Sequence, residues 1–200
     1  MAQRLPRPVS IASYLLLALG AVALIDVAVS VSALVRIADE GPRFLASPLA
    51  QQVADPELVV ETTRQGLSWN ATVAAAILVV FGVLGLLIRR PYAAARNLVW
   101  VGGSVALFVL SCGVTVNPDY AAPADGAGSR WWSITELGLM PAWHSGVRSA
   151  LTAAELALLI LGCLQLLRPG ARDHYRKQTS EISLGAVFAQ RAERLKREGA

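Results

Sequence analysis

Four uninterrupted apolar runs limit what this chain can fold into. They cover about residues 9–35, 71–88, 97–116 and 147–167 of the 200-residue sequence. A run of about 18 apolar residues, rising about 1.5 Å per helical residue, is long enough to cross a hydrocarbon core of about 30 Å. Helices of soluble proteins carry instead an apolar stripe beside a polar face. The sequence therefore predicts an all-α fold, a bundle of four transmembrane helices.

The placement of basic residues predicts how the bundle is oriented. The chain has 18 Lys and Arg against 14 Asp and Glu, a net charge of +4. Five basic residues share one set of span ends and loops with eight acids, whereas thirteen lie at the other set. Because cytoplasmic loops are enriched in Lys and Arg, both termini are expected in the cytoplasm. Basic charge at span ends indicates lipid contact, so we expect membrane lipid and no nucleic acid as partner. The thirteen are Arg4, Arg7, Arg89, Arg90, Arg96, Arg168, Arg172, Arg176, Lys177, Arg191, Arg194, Lys196 and Arg197.

This topology divides the chain into nine segments. They are a cytoplasmic N-terminus (1–8), a first span (9–35), an outer loop (36–70) whose short helix runs into the second span (71–88), a cytoplasmic turn (89–96), a third span (97–116), an outer loop with an aromatic interfacial segment (117–146), a fourth span (147–167) and a basic cytoplasmic tail with an amphipathic helix (168–200). The first run could also belong to a signal peptide, but the apolar part of a signal peptide is about 7–15 residues long. An uncleaved anchor is therefore favoured.

Both outer loops contain local patterns that predict structure. Asp55-Pro56-Glu57 is typical of a helix start, with an N-cap, a proline in the first turn and an acid facing the helix dipole. Trp131, Trp132 and Trp143 lie in a segment too short and too polar to span. Aromatic residues of this kind commonly lie at the membrane interface. We expect this segment to rest on lipid or cap the bundle; a ligand or partner surface is the alternative.

The C-terminal tail combines basic charge with helical periodicity. Apolar residues from Leu184 to Leu195 follow one face of a helix predicted over 180–198. Such a helix can lie on an anionic leaflet or dock on a cytoplasmic partner. The residues expected to make this contact are Arg168, Arg172, Arg176, Lys177, Arg191, Arg194, Lys196 and Arg197.

The third span is rich in small residues. Gly102, Gly103, Ser104, Ser111 and Gly113 fall within 97–116. Small residues allow helix backbones in a membrane to approach closely. We therefore expect this span in the interior of the bundle.

Two acids inside the spans are the most specific hint of function. Asp26 and Glu155 lie about four and two residues outward of the midpoints of their spans, so their depths agree to roughly 3 Å. An acid near the centre of a span costs about 2.5–3.5 kcal/mol on insertion scales and should face the bundle or a wet cavity. No basic residue is expected at that depth.

Three interpretations of these acids are open. Each could bond a hydroxyl such as Ser30, Ser104, Ser111 or Thr152 and fix helix register. The pair could handle a proton or cation, or one acid could meet a cationic residue of another subunit.

Motifs for catalysis or cofactor binding are absent from the sequence. It has no glycine-rich phosphate loop, no CxxC, no HExxH and no nucleophile elbow. His144 and His174, the only histidines, are expected on opposite sides of the membrane as solvated loop residues. We therefore expect no enzymatic activity, no cofactor and no metal site.

The leading hypothesis is an accessory or interaction subunit of a bacterial plasma-membrane complex. Arg outnumbers Lys, and Ala, Val and Leu dominate the spans, as in proteins of GC-rich bacteria. Its partners would be other membrane subunits or further copies of the chain. One alternative is a small proton- or cation-linked transporter using Asp26 and Glu155. The other is an extracytoplasmic sensor that signals through the tail.

Overall fold

The computed structural model of this protein describes residues 6–90, 93–115, 120–123 and 131–175. Four long helices dominate it: α1 (Arg7–Leu45), α2 (Pro56–Leu87), α3 (Ala93–Thr115) and α4 (Trp143–Leu167). All four are long and apolar enough to cross a membrane. The prediction of a helical membrane protein with four candidate spans is therefore confirmed.

Helix α1 is the centre of the bundle. It packs along both α2 and α4, whereas α3 packs beside α2 and α4. Leu16, Leu19 and Ala23 on α1 are fully buried. Near them, a Cβ added to Gly20 would lie 3.7 Å from the Cα of Gly82, so α1 and α2 are in close contact. Glycine thus allows the two backbones to approach where lipid gives no hydrophobic drive for association.

The expectation that the third span forms the interior is wrong. Val101, Val105 and Phe108 of α3 are 65%, 59% and 71% exposed, so much of this helix faces away from the bundle. Its small residues do serve one close contact, because a Cβ on Gly103 would lie 3.1 Å from Sγ of Cys163 on α4. Small residues therefore indicated a helix contact on one side of α3, not a central position.

Helix α1 continues ten residues beyond the predicted end of the first span, to Leu45. Its extension packs with the start of α2 and with the segment before α4 in a second apolar core, separate from that of the spans. We call this second unit the cap, and the end of the bundle that carries it the outer end, as the charge pattern assigns it. The buried apolar residues of the cap are Ala33, Ile37, Phe44, Ala50, Val53, Val59, Leu67, Ile134, Leu137, Leu139 and Met140.

The start of α2 agrees with the sequence pattern. Asp55 is the N-cap and its carboxylate accepts a hydrogen bond of 3.0 Å from the Leu58 amide, with Pro56 in the first turn. The helix then runs without interruption through Gly66 to Leu87. One helix thus connects the cap to the second span.

The aromatic segment contributes to the cap. A short hairpin, which the sequence did not predict, pairs β1 (Tyr120–Pro123) antiparallel with β2 (Trp131–Ser133). The residues that follow β2 bury Leu139 and Met140 in the cap core, so the segment caps the bundle. Trp143, the first residue of α4, is 54% exposed, as an interfacial tryptophan would be.

A set of polar contacts ties the helices together at the inner end. Ser13 on α1 donates a hydrogen bond of 2.7 Å to the Gly85 carbonyl on α2. Arg89 Nε in turn donates one of 2.8 Å to Ser13 Oγ, and its guanidinium lies over the Tyr14 ring. These contacts fix the end of α2 against the start of α1.

The chain beyond α4 also attaches at the inner end. It is helical over 169–175, and the buried Tyr175 hydroxyl donates a hydrogen bond of 2.9 Å to the Ile88 carbonyl. Burial raises the pKa of Tyr175 to about 12, although the nearby Arg96 guanidinium opposes this shift. The phenol therefore stays protonated and continues to donate throughout the physiological pH range.

Part of the predicted tail contact lies within the structure. Arg168 and Arg172 are exposed and available to lipid or a partner. Arg176, Lys177, Arg191, Arg194, Lys196 and Arg197, and the helix predicted over 180–198, lie outside the described residues.

Candidate functional site

Asp26 and Glu155 are both in the interior of the bundle. Asp26 is 7% exposed and Glu155 is 1% exposed. The two side chains interact electrostatically across the contact between α1 and α4. The sequence-based expectation that both acids face inward at similar depth thus agrees with the structure.

Packing of α1 on α4 sets the relative depth of the two acids. A Cβ on Gly162 would lie 3.2 Å from Cδ2 of Leu16, so these residues face each other. Counting ten residues outward along each antiparallel helix from this contact brings Asp26 level with Thr152. Glu155 is three residues away, about one helical turn at about 1.5 Å per residue.

Arg148 lies within electrostatic range of the two acids, although it makes no ion pair of 4.0 Å or less with either in the part of the chain that the structure describes. This corrects the expectation that no basic residue reaches their depth. Its guanidinium interacts electrostatically with both Asp26 and Glu155. The side chain is half-buried, and its Nη1 atom is fully buried. Counting Cα depths along the span missed this interaction, because the long side chain of Arg148 carries its charge several ångströms from its Cα.

Neither Ser30 nor Ser104, two of the hydroxyls considered, holds a carboxyl group. Within the described residues, Ser30 Oγ and Glu155 Oε1 are buried without a hydrogen-bond partner. Ser104 donates its hydrogen bond of 2.9 Å to the Trp100 carbonyl of its own helix. Buried polar atoms usually have a partner, so unpaired ones indicate a site for water, an ion or a ligand.

A cleft of about 420 Å³ lies at the outer end, between the end of α1 and the start of α4. Its walls carry Arg36 and Asp39 from α1 and Trp143 and His144 from α4. His144 is only 2% exposed. The expectation that it is a solvated loop residue is wrong, because α4 begins before it and buries it against the cap.

Polar side chains of α4 lead from this cleft to the buried acids. His144, Arg148 and Glu155 are spaced by four and seven residues, which places all three on one face of a helix. From His144 to Glu155 this row covers eleven residues, about 16 Å along the helix axis at about 1.5 Å per residue. We call the three residues with Asp26 the polar column.

Between the polar column and the polar contacts around Ser13 at the inner end, the described bundle core is mostly apolar. Leu19 on α1, Phe81 and Leu84 on α2, and Leu159 and Leu166 on α4 are buried in one continuous core. Within the described residues, the row of polar side chains next to the acids therefore leads to the outer end.

The chain matches no protein-family model, and no curated protein or solved structure matches it. Its function must therefore be inferred from the chemistry of its own side chains.

Sequence reasoning found two of the four residues of the polar column and missed Arg148 and His144. The signal that could have revealed them is the spacing of polar residues along α4, where 144, 148 and 155 share a helical face. That pattern was hidden because His144 was assigned to a loop and Arg148 to the end of a span.

Proposed function

We propose that this is a non-enzymatic membrane protein that takes up a proton or a small monovalent cation at Asp26 and Glu155 from the outer side. The observation that carries the proposal is the composition of the polar column: two carboxyl groups are buried in the bundle interior, with one half-buried guanidinium within electrostatic range of both. The bacterial plasma membrane is the setting that the sequence composition favours.

The charge of the cluster gives the chemical reason. Arg148 can balance one carboxylate, and an isolated second carboxylate in a medium of low dielectric constant is strongly disfavoured. A proton on one carboxyl group, or a cation between the two, removes this imbalance. The unpaired Glu155 Oε1 and Ser30 Oγ atoms supply acceptors for such a guest.

The direction of access supports an outward-facing state of a small transporter. The polar column reaches the cleft at the outer end, while apolar side chains close the inner half. Transport would then require a rearrangement of α4 against α1. A Cβ on Gly162 of α4 would lie 3.2 Å from Cδ2 of Leu16 on α1, so sliding of the two helices along this close contact is the expected movement.

Flux measurements on the purified protein in vesicles test this function. With a pH-sensitive dye inside and a potassium diffusion potential across the membrane, acidification should depend on the protein. Asp26→Asn and Glu155→Gln should each abolish the flux while the helical circular dichroism spectrum is unchanged. Glu57→Gln, a change at an exposed acid of the cap, is the matched control and should retain it. Flux at the wild-type rate in both interior variants would refute the proposal.

A second candidate function, the accessory subunit, is favoured by the surface of the cap. Leu45, Leu49 and Leu58 are 40%, 37% and 57% exposed, and all three lie beyond the predicted spans. Exposed leucines outside the bilayer favour contact with a partner protein. Isolation from native membranes in mild detergent should then recover a second protein, whose association is lost in Leu58→Glu. Recovery of the chain alone would count against this role.

A further inference from the structure

The cleft at the outer end is apolar at one edge and charged at the other. Val35 and Trp143, at the level where α1 leaves the predicted span, are 61% and 54% exposed. Arg36, Asp39 and Arg43 follow on the same helix as it continues outward. A cleft of this kind suits an amphiphile better than a fully polar ligand, because its inner edge adjoins the end of a candidate span and carries exposed apolar side chains.

Two of the charges in the cleft are available to a ligand. Glu40 and Arg43 form an ion pair of 3.3 Å. Arg36 and Asp39 make no ion pair or hydrogen bond through their side chains within the part of the chain that the structure describes. The cleft therefore offers one positive and one negative group.

The order of these two charges along α1 matches the order of charges in one class of phospholipid headgroup. Arg36 is three residues closer to the span than Asp39, which is about 4.5 Å along the helix axis at about 1.5 Å per residue. In a zwitterionic phospholipid the phosphate likewise lies next to the acyl chains, and the ammonium group lies further out. The positive-then-negative order of the protein thus complements the negative-then-positive order of the headgroup.

We propose that this cleft binds the headgroup of a zwitterionic phospholipid with a primary ammonium group. Arg36 binds the phosphate, Asp39 accepts hydrogen bonds from the ammonium, and an acyl chain lies along Val35 and Trp143. The volume of about 420 Å³ falls in the range of ligand pockets, about 300–1,000 Å³. The proposed proton or cation uptake uses the same cleft as its outer opening, but binding of the headgroup rests on Arg36 and Asp39 and is tested without any flux measurement.

Native mass spectrometry of the full chain in detergent micelles tests the proposal. The probes are short-chain phosphatidylethanolamine, phosphatidylcholine and phosphatidylglycerol, together with soluble phosphoethanolamine. Phosphatidylethanolamine should bind about fivefold more tightly than phosphatidylcholine at low ionic strength, because a trimethylammonium group has no N–H to donate to Asp39. Soluble phosphoethanolamine should bind more weakly than the lipid, because it lacks the acyl chain.

Variants separate the two halves of the headgroup. Arg36→Gln should weaken both zwitterionic lipids by about fivefold, the effect expected of an exposed charge pair. Asp39→Asn should make phosphatidylethanolamine and phosphatidylcholine bind equally. Arg64→Gln, at an exposed arginine of α2 that does not line the cleft, is the matched control and should leave binding unchanged.

Three results would overturn the proposal. Equal binding of all lipids, unaffected by either variant, would mean that only boundary lipid is bound. Strongest binding of phosphatidylglycerol would show that Asp39 takes no part in recognition. Binding of soluble phosphoethanolamine as tight as that of the lipid would identify the ligand as a soluble molecule.

Discussion

Removing the charge of Arg148 should destabilise the protein through Glu155. Arg148→Gln would leave two carboxyl groups in the bundle interior with no guanidinium between them. Breaking a fully buried ion pair costs about 3–5 kcal/mol, whereas an exposed pair contributes about 0–1 kcal/mol. Arg148 is half-buried and makes no ion pair of 4.0 Å or less with Glu155 in the described residues, so we expect a loss near the lower limit, about 1 kcal/mol of the free energy of unfolding.

The double variant isolates this interaction. Glu155→Gln removes the charge that Arg148 balances, so Arg148→Gln should cost much less when both changes are combined. Residues that interact commonly show coupling energies of about 0.5–3 kcal/mol, and we expect about 0.5 kcal/mol here, because the interaction is electrostatic without a direct ion pair. Unfolding by sodium dodecyl sulfate in mixed micelles, followed by circular dichroism above neutral pH, measures all four proteins.

The control and the contradicting result follow from the same cycle. Arg64→Gln removes an exposed arginine and should change stability by about 0.5 kcal/mol or less. Effects of Arg148→Gln and Glu155→Gln that add to within about 0.3 kcal/mol would show that the two side chains do not interact. The electrostatic interaction between Arg148 and Glu155, on which the polar column depends, would then be absent.

Three further predictions concern packing, capping and pH. Gly162→Val should destabilise the bundle by about 1–3 kcal/mol in the same unfolding assay, because even a Cβ at this position would lie 3.2 Å from Cδ2 of Leu16. Gly146→Val is the control for replacing a helical glycine by valine. It should cost less, because a Cβ at position 146 meets nothing within 4 Å. Asp55→Ala should lower the free energy of unfolding by about 1 kcal/mol by removing the N-cap of α2. Asp55→Asn should keep most of that stability, because an asparagine side chain can also accept a hydrogen bond from the Leu58 amide. Equal stability of the wild type and both variants would contradict the role of Asp55 as N-cap. Burial lowers the pKa of His174 from its usual 6.5, so the folded state binds its proton less readily than the unfolded state. The free energy of unfolding should therefore fall as the pH drops through about 6.5 and below. His174→Gln should remove that part of the pH dependence, which thermal unfolding at several pH values measures. An unchanged pH dependence in His174→Gln would show that His174 is not its source.

The elements of the fold were predictable because they depend on local patterns. Continuous apolar runs predicted helices long enough to cross a membrane, and the Asp55-Pro56 pair predicted where α2 begins. The arrangement of helices depended on contacts that no local pattern encodes. The small residues of the third span predicted a close contact, and Gly103 makes one. The central helix is nevertheless α1, because its long buried face packs on both α2 and α4.

The candidate site was predictable in part for the same reason. Asp26 and Glu155 were evident because an acid in an apolar run is costly. Arg148 and His144 were missed because depth was counted from backbone positions, while a guanidinium at the end of a long side chain reaches several ångströms along its helix. The cap was missed because α1 continues beyond its apolar run, where its sequence resembles a polar loop.

The most direct test of the central claim is whether the buried carboxyl groups exchange protons with the outer side. Infrared difference spectra of vesicles, with the outer end of the protein facing the bath, report protonation through the C=O stretch of carboxylic acids. Acidifying the bath alone from about pH 8 to about pH 6, a range in which exposed carboxylates stay ionised, should produce this band in the wild type. The band should be absent over this range in the Asp26→Asn, Glu155→Gln double variant. A band of equal size in the double variant, or no band in the wild type over this range, would contradict the account.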